Sequence, residues 1–139
     1  MRNALLAAAL AVALANPAGA KVHEVEVIDG DTVTITTSGM ATGLRIRAQG
    51  FDSPEVRSSC AAERALALRA KDRVRVLALR GLDVSTGLET DMYGRILATL
   101  RTPNGEDVGT ILVREGLART YDGKAARRPW CDAAGRLVP

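Results

Sequence analysis

VHEVEVIDGDTVTITT, residues 22–37, is the stretch whose reading decides the fold. Val22, Glu24, Glu26 and Ile28 alternate with His23, Val25 and Val27, the two-residue period of a strand whose side chains leave opposite faces. Thr32 to Thr37 is rich in β-branched residues, which suit a pleated, half-buried surface. Asp29-Gly30 between the two runs is a hairpin signal, so the stretch reads as two antiparallel strands.

Further along, Leu44 to Gln49 reads as a third strand, with Leu44, Ile46 and Ala48 on one face and Arg45, Arg47 and Gln49 on the other. Arg47 is thereby placed on a polar face, open to a ligand. Pro54 ends the extended stretch. From Ala61 to about Leu79, Ala62, Leu66, Ala70, Val74 and Leu77 recur every three to four residues, with Glu63, Lys71 and Arg75 off that stripe, which predicts an amphipathic helix. Gly81 stops it. Leu82 to Ser85 and Arg95 to Leu100 read as two more strands around an Asp91-Met92-Tyr93-Gly94 turn, and Asp107 caps a short helix from Val108 to Glu115 that Gly116 ends. The order β-β-β-α-β-β-α predicts an α+β, mainly β fold: a five-stranded Greek-key barrel of the OB type with two or three packed helices.

Met1 to Ala20 carries one charge, Arg2, then an apolar run from Ala4 to Ala15 and the small-residue ending Ala18-Gly19-Ala20, the pattern of a secretory signal peptide. The alternative, a retained anchor, needs a longer span of roughly 20 apolar residues. Removing the segment leaves 119 of the 139 residues, Lys21 to Pro139, enough for one domain, and lowers the formal charge of +3 by one. So mild an excess permits a polyanionic partner without demanding one. An even pair of cysteines, Cys60 and Cys131, in an exported chain favours a disulfide. Zinc is the alternative, but it wants four close ligands, and the single histidine, His23, falls at the start of a strand, where an exposed edge position suits it better than catalysis.

Three short segments carry chemistry. Asp31 follows the hairpin and Asp52 follows the third strand, so a barrel pairing those strands brings both carboxylates to one rim. With the carbonyl of Ser53 they offer part of the oxygen shell of a hard cation such as calcium, completed by water and substrate phosphate. Glu55, stiffened by Pro54, can orient or deprotonate a water. Arg47 and Arg95 can clamp phosphate oxygens with planar forks of donors. Tyr93 and Tyr121 are candidate substrate contacts through hydrogen bonding or stacking. Each residue also has a plain use, in turn stabilisation, surface ion pairing or packing. One Trp, two Tyr and one Phe are too few for an extended single-strand stacking surface.

VIDGDT (27–32), RAQGFDSPE (47–55), DMYGR (91–95) and LVREGLA (112–118), in this order, resemble the staphylococcal nuclease (thermonuclease) family, secreted or periplasmic OB-barrel enzymes that cut DNA and RNA with calcium. The resemblance covers about Val25 to Tyr121. It implies that Asp31, Asp52 and the Ser53 carbonyl hold Ca2+, that Arg47, Glu55 and Arg95 are catalytic, and that Tyr93 contacts substrate phosphate. It further implies scission on the 5′ side of the phosphodiester, leaving 3′-phosphates. Ser53 stands where the family often has Thr, Met92 where a basic residue occurs, and Tyr121 one position from the family's second pocket tyrosine. The tail after Tyr121 is too short for the family's last long helix, and the resemblance implies that a Cys60–Cys131 bridge ties it to the first helix, as in some Gram-negative-type members.

The expected partner is nucleic acid, with no membrane contact after removal of the leader and a monomer as the working unit. Two other classes compete: a catalytically silent OB domain that binds nucleic acid or protein, and a structural calcium-binding domain, which leaves Arg47 and Arg95 without an anion.

Overall fold

In the computed structural model of the chain, residues 22–37 and 39–138 are described. The leader reading for Met1–Ala20 and the side-chain reading of His23 lie outside these residues. Strands β1 (Val22–Asp29) and β2 (Thr32–Thr37) form the expected antiparallel hairpin, with Val27 opposite Val33. β3 (Leu44–Ala48) pairs antiparallel with β2. A two-residue β4 (Phe51–Asp52) precedes the long helix α1 (Ala61–Ala78). Then come β5 (Asp83–Ser85), β6 (Ile96–Arg101), the short helix α2 (Val108–Arg114) and β7 (Arg119–Thr120).

The main sheet is five-stranded and mixed, in the order β1-β2-β3-β6-β5, with β3 and β6 parallel; β4 and β7 form a separate antiparallel pair. The expected closed barrel is therefore corrected to an open sheet. β5 is three residues long and its ladder partner is β6, while α1 packs against β1 at the other end, so the ends of the sheet do not pair with each other. The fold remains mainly β with two helices among the described residues, broadly OB-like.

One apolar core joins all the layers. Val33, Ile46 and Ala98 of the sheet, Ala70 and Val74 of α1, and Val108 and Leu112 of α2 are buried together. Period two in β3 holds, since Ile46 and Ala48 are buried and Arg45 is exposed. The helix stripe is rotated from its expected position: Glu63, Ala67, Ala70 and Val74 are buried, while Ala62, Leu66 and Leu77 are half-buried. Glu63, expected off the stripe, faces inward, where its carboxylate accepts from the Glu55 amide and the Ser58 hydroxyl. Asp107 caps α2 as expected, accepting a 2.8 Å bond from the Thr110 amide.

Two glycines allow close approach of separate layers. A Cβ on Gly30 would lie 2.7 Å from Ser53 Cβ and 3.0 Å from Ala70 Cβ, so only glycine lets the hairpin turn seat against the Ser53 loop and α1. Its φ is not in the left-handed region, so room rather than turn conformation is what Gly30 supplies. A Cβ on Gly109 would come within 2.2 Å of the Phe51 ring, so α2 can lie on β4 only with glycine there.

Candidate active site

Asp31 stands at the junction of the hairpin with the β3–β4 loop. Its carbonyl accepts the Ala48 amide at 2.8 Å, and its carboxylate accepts the Ser53 amide at 2.9 Å and the Thr32 hydroxyl at 3.0 Å. Asp52 is buried beside it, and its backbone is fixed by the pairing of β4 with β7. The side chain of Arg47 crosses between them: Nη2 is 3.3 Å from Asp31 Oδ2 and 3.8 Å from Asp52 Oδ1. It also donates to the Phe51 and Ala48 carbonyls. Arg47 was expected to be open to ligand, but only 12 % of its side chain is exposed, because the same guanidinium folds the loop that carries Asp52.

Arg95 approaches from the start of β6. Its Nε lies 2.6 Å from Asp91 Oδ2, its amide donates to Asp91 Oδ1, and Nη1 reaches Thr32 Oγ1 at 3.4 Å, one hydroxyl away from Asp31. Tyr93, largely exposed, sits with its ring 5.3 Å from the Arg95 guanidinium carbon. Asp91 is held below its usual carboxylate range: burial opposes this, but is outweighed by the Arg95 and Tyr93 amides and the Arg95 side chain. Glu55 lies on the loop before α1. Its amide donates to Glu63 Oε1 at 2.9 Å, while Ser58 Oγ donates to Glu63 Oε2 at 2.5 Å. Buried Glu63 thus shapes the loop that presents Glu55.

The tail contributes more than its sequence showed. Cys60 and Cys131 are disulfide-bonded, with Cα atoms 6.6 Å apart, which ties the tail to the start of α1. Next to Cys131, Trp130 is buried, and its indole Nε1 donates to Asp52 Oδ2 at 3.3 Å. Arg119 stacks over that ring at 3.8 Å and donates to the carbonyls of Arg128, Pro129 and Val138. Arg127 places Nη2 2.5 Å from Asp52 Oδ1 and 2.8 Å from Glu55 Oε1. A cavity of ≈ 340 Å³ opens there, lined by Asp52, Tyr121, Ala125 and Arg127 among others. Tyr121 therefore borders the site, with its hydroxyl donated to the Ala125 carbonyl at 2.8 Å.

The structure thus brings Asp31, Asp52, Ser53 and Arg47 into direct contact, links Arg95 to them through Thr32, and links Glu55 to Asp52 through Arg127. Sequence reasoning missed Asp29, Glu63, Arg127 and Trp130. Asp29 was visible as the first acid of the Asp29-Gly30-Asp31 turn. Its carboxyl is pushed up to about 7, first by burial and then by the neighbouring Asp31 charge. Asp52 is raised as well, by burial, with Arg127 pulling the other way.

Asp29, Asp31, Asp52 and Glu55 gather around the guanidiniums of Arg47 and Arg127, with Arg119 acting on Asp52 from beside Trp130 and Arg95 reaching in through Thr32. Among the described residues no three Asp, Glu, His or Cys side chains converge as a complete metal cage. Carboxylate and carbonyl oxygens are the donors a hard cation takes, and two carboxylates with one carbonyl would leave the rest of its shell to water or substrate.

Comparison with known proteins identifies the family. Residues 45–132 match the family described as staphylococcal nuclease homologue. The chain is 31 % identical over 126 residues to a micrococcal nuclease of Shigella flexneri, covering 84 % of this chain and 68 % of that protein. It is 32 % identical over 98 residues to an uncharacterized endonuclease of Escherichia coli, covering 70 % of this chain and 59 % of that protein, so it spans under two thirds of that relative. It is also 32 % identical over 133 residues to the Escherichia coli protein ParB, covering 86 % of this chain and 71 % of ParB. The matched region covers nearly all of β3 together with β4, α1, β6 and Cys131, and so includes Arg47, Asp52, Glu55, Arg95 and Arg127, while the hairpin that carries Asp31 precedes it; the chain belongs to the staphylococcal nuclease family.

Proposed function

We propose that this protein is an exported, calcium-dependent nuclease that hydrolyses phosphodiester bonds of DNA and RNA with little sequence preference and leaves 3′-phosphates. The observation that carries the reading is the buried pair Asp31 and Asp52 set beside one another, with Arg47 between them and Arg95 reaching in through Thr32. A fold does not need to bury two carboxylates beside one another, and doing so without a cation is costly. A purely structural calcium domain uses Arg47 and Arg95 only as partners of Asp31, Asp52 and Asp91, whereas a nuclease also gives them a phosphate to bind.

In this reading Asp31, Asp52 and the Ser53 carbonyl hold Ca2+, which when bound neutralises phosphate charge and makes a nearby water more acidic. Glu55 accepts the proton of the attacking water. Arg47 and Arg95 donate to the phosphoryl oxygens as charge builds on them. The new bond joins the water oxygen to phosphorus; the bond from phosphorus to the 5′ oxygen breaks, and that oxygen takes up a proton. Tyr93 and Tyr121 border the path of the chain, as substrate contacts. Backbone contacts of this kind carry no base information, which is why little sequence preference is expected. In this reading the signal-peptide pattern of Met1–Ala20 supports export of the mature domain, residues 21–139, to the periplasm or beyond, and the working unit is a monomer free of the membrane.

The test is digestion of single-stranded DNA and RNA by purified protein with calcium, with magnesium and with chelator. Cleavage is expected with calcium, little with magnesium, whose octahedral demands are stricter, and none in chelator. Unchanged cleavage in chelator overturns the metal reading. Nucleic-acid binding with no cleavage under any condition favours the silent OB domain instead.

A further inference from the structure

Arg127 is an unusual resident of such a site. One of its nitrogens lies 2.5 Å from a proposed cation ligand, Asp52, and 2.8 Å from the proposed base, Glu55. Asp52 is 6 % exposed and Arg127 44 %, so a solvent-facing guanidinium reaches onto a buried carboxylate. The segment that carries it is not a loose end. Trp130 is buried three residues on, bonded to the other oxygen of Asp52, and Cys131 is linked to Cys60. The Tyr121 hydroxyl and the Asp122 carboxylate close the turn just before it through the Ala125 carbonyl and the Lys124 and Ala125 amides. These anchors hold Arg127 at the mouth of the cavity beside Asp52.

Resting on the calcium reading above, we propose that Arg127 is a positioning residue that acts as a built-in cation: it neutralises Asp52 and Glu55 until a divalent ion arrives, and it sets the ion's affinity by competing for Asp52. The electrostatics require competition. A divalent ion accepted by Asp52 meets a fixed positive charge already within ion-pair distance of the same carboxylate, and like charges a few ångströms apart repel even through a high effective dielectric. Loss of that contact leaves the guanidinium with Glu55, its second partner. The tail thus trades ion affinity for a site whose acids are paired at all times. An arginine that merely braced the loop would have the opposite effect, since loosening the loop scatters the ligands and weakens binding.

That difference in sign is the test. Calcium chloride alone is titrated calorimetrically into the purified, oxidised full chain and into its Arg127→Gln and Arg127→Lys variants, with circular dichroism confirming that each is folded. Arg127→Gln, which removes the charge and keeps a polar side chain, should tighten calcium on the order of tenfold, because a unit charge at ion-pair distance is deleted from a partly solvated site. Arg127→Lys keeps the charge and should remain within about threefold of the wild type, on the same argument. Calcium affinity that is unchanged or weaker in a folded Arg127→Gln protein overturns the proposal, as does a lysine variant that behaves like the glutamine one. Absence of calcium binding in all three proteins overturns the calcium reading itself, a result distinct from equal binding in all three.

Discussion

Arg47 and Arg95 are both fork donors, yet they are held differently. Arg47 is enclosed by the Phe51 carbonyl and by two carboxylates, whereas Arg95 is braced by Asp91 on one side and leaves Nη1 directed at Thr32. Arg95→Lys should therefore lower turnover on the order of 10³-fold with the fold intact, as loss of a phosphate-clamping guanidinium does. Arg47→Lys should lower turnover and the melting temperature together, because it also removes donors from the loop. Rates of single-stranded DNA digestion in calcium, beside thermal melts, check both, and near-full activity in both variants would remove the clamp. Asp29 bears on stability. Its carboxyl is raised from 3.8 to about 7, so its contribution is fully present below about pH 4 and is lost as pH rises through about 7. Asp29→Asn in chelator should melt like the wild type near pH 4 and above it at pH 8; a gap that does not widen with pH would show that the burial of Asp29 is not what shifts it.

The elements explain why these residues meet. The hairpin presents Asp31, β4 holds Asp52 because β7 pairs with it, and α1 shapes the Glu55 loop through Glu63. Period two, turn chemistry and capping made the strands and helices legible: β2, β3, α1 and α2 lie within a residue or two of their expected bounds. Glu63 was misjudged for a physical reason. Helical periodicity ranks positions by hydrophobicity, and a buried acid that serves a neighbouring loop contradicts the ranking. Glu63→Ala removes the acceptor for the Glu55 amide and the Ser58 hydroxyl, an expected loss of about 1 kcal/mol for each of these half-buried donors. Turnover should fall with little change in KM, because the misplaced group is the proposed base rather than a substrate contact. If Glu63→Ala were as active as the wild type, Glu55 would not depend on that loop for its position.

For the molecule as a whole, the covalent tie governs both stability and site. Cys60 and Cys131 are 71 residues apart, and closing a loop of that length stabilises by about 4 kcal/mol in the chain-entropy model, a large share of a small domain's stability. Reduction should lower the melting temperature, and thiol titration of denatured, unreduced protein should find no free thiol. The tie reaches the site, since Trp130 beside Cys131 donates to Asp52 and Arg127 forms ion pairs with both Asp52 and Glu55. The reduced but still folded protein should therefore also lose turnover at saturating calcium; reduced protein with unchanged kcat would detach the tail from the reaction.

Local pattern alone determined the hairpin, the two helices and the Asp107 cap of α2, and the three segments whose acids and arginines resemble the family's, because period, turn residues and short motifs act within a few residues of one another. Tertiary structure decided the rest. It left the sheet open rather than closed, put Gly30 where only a missing Cβ lets the turn reach Ser53, turned Glu63 inward, and brought Arg127 and Trp130 across 72 and 78 positions to Glu55 and Asp52. Contacts of that range are set by packing and by the disulfide, and no local periodicity encodes them.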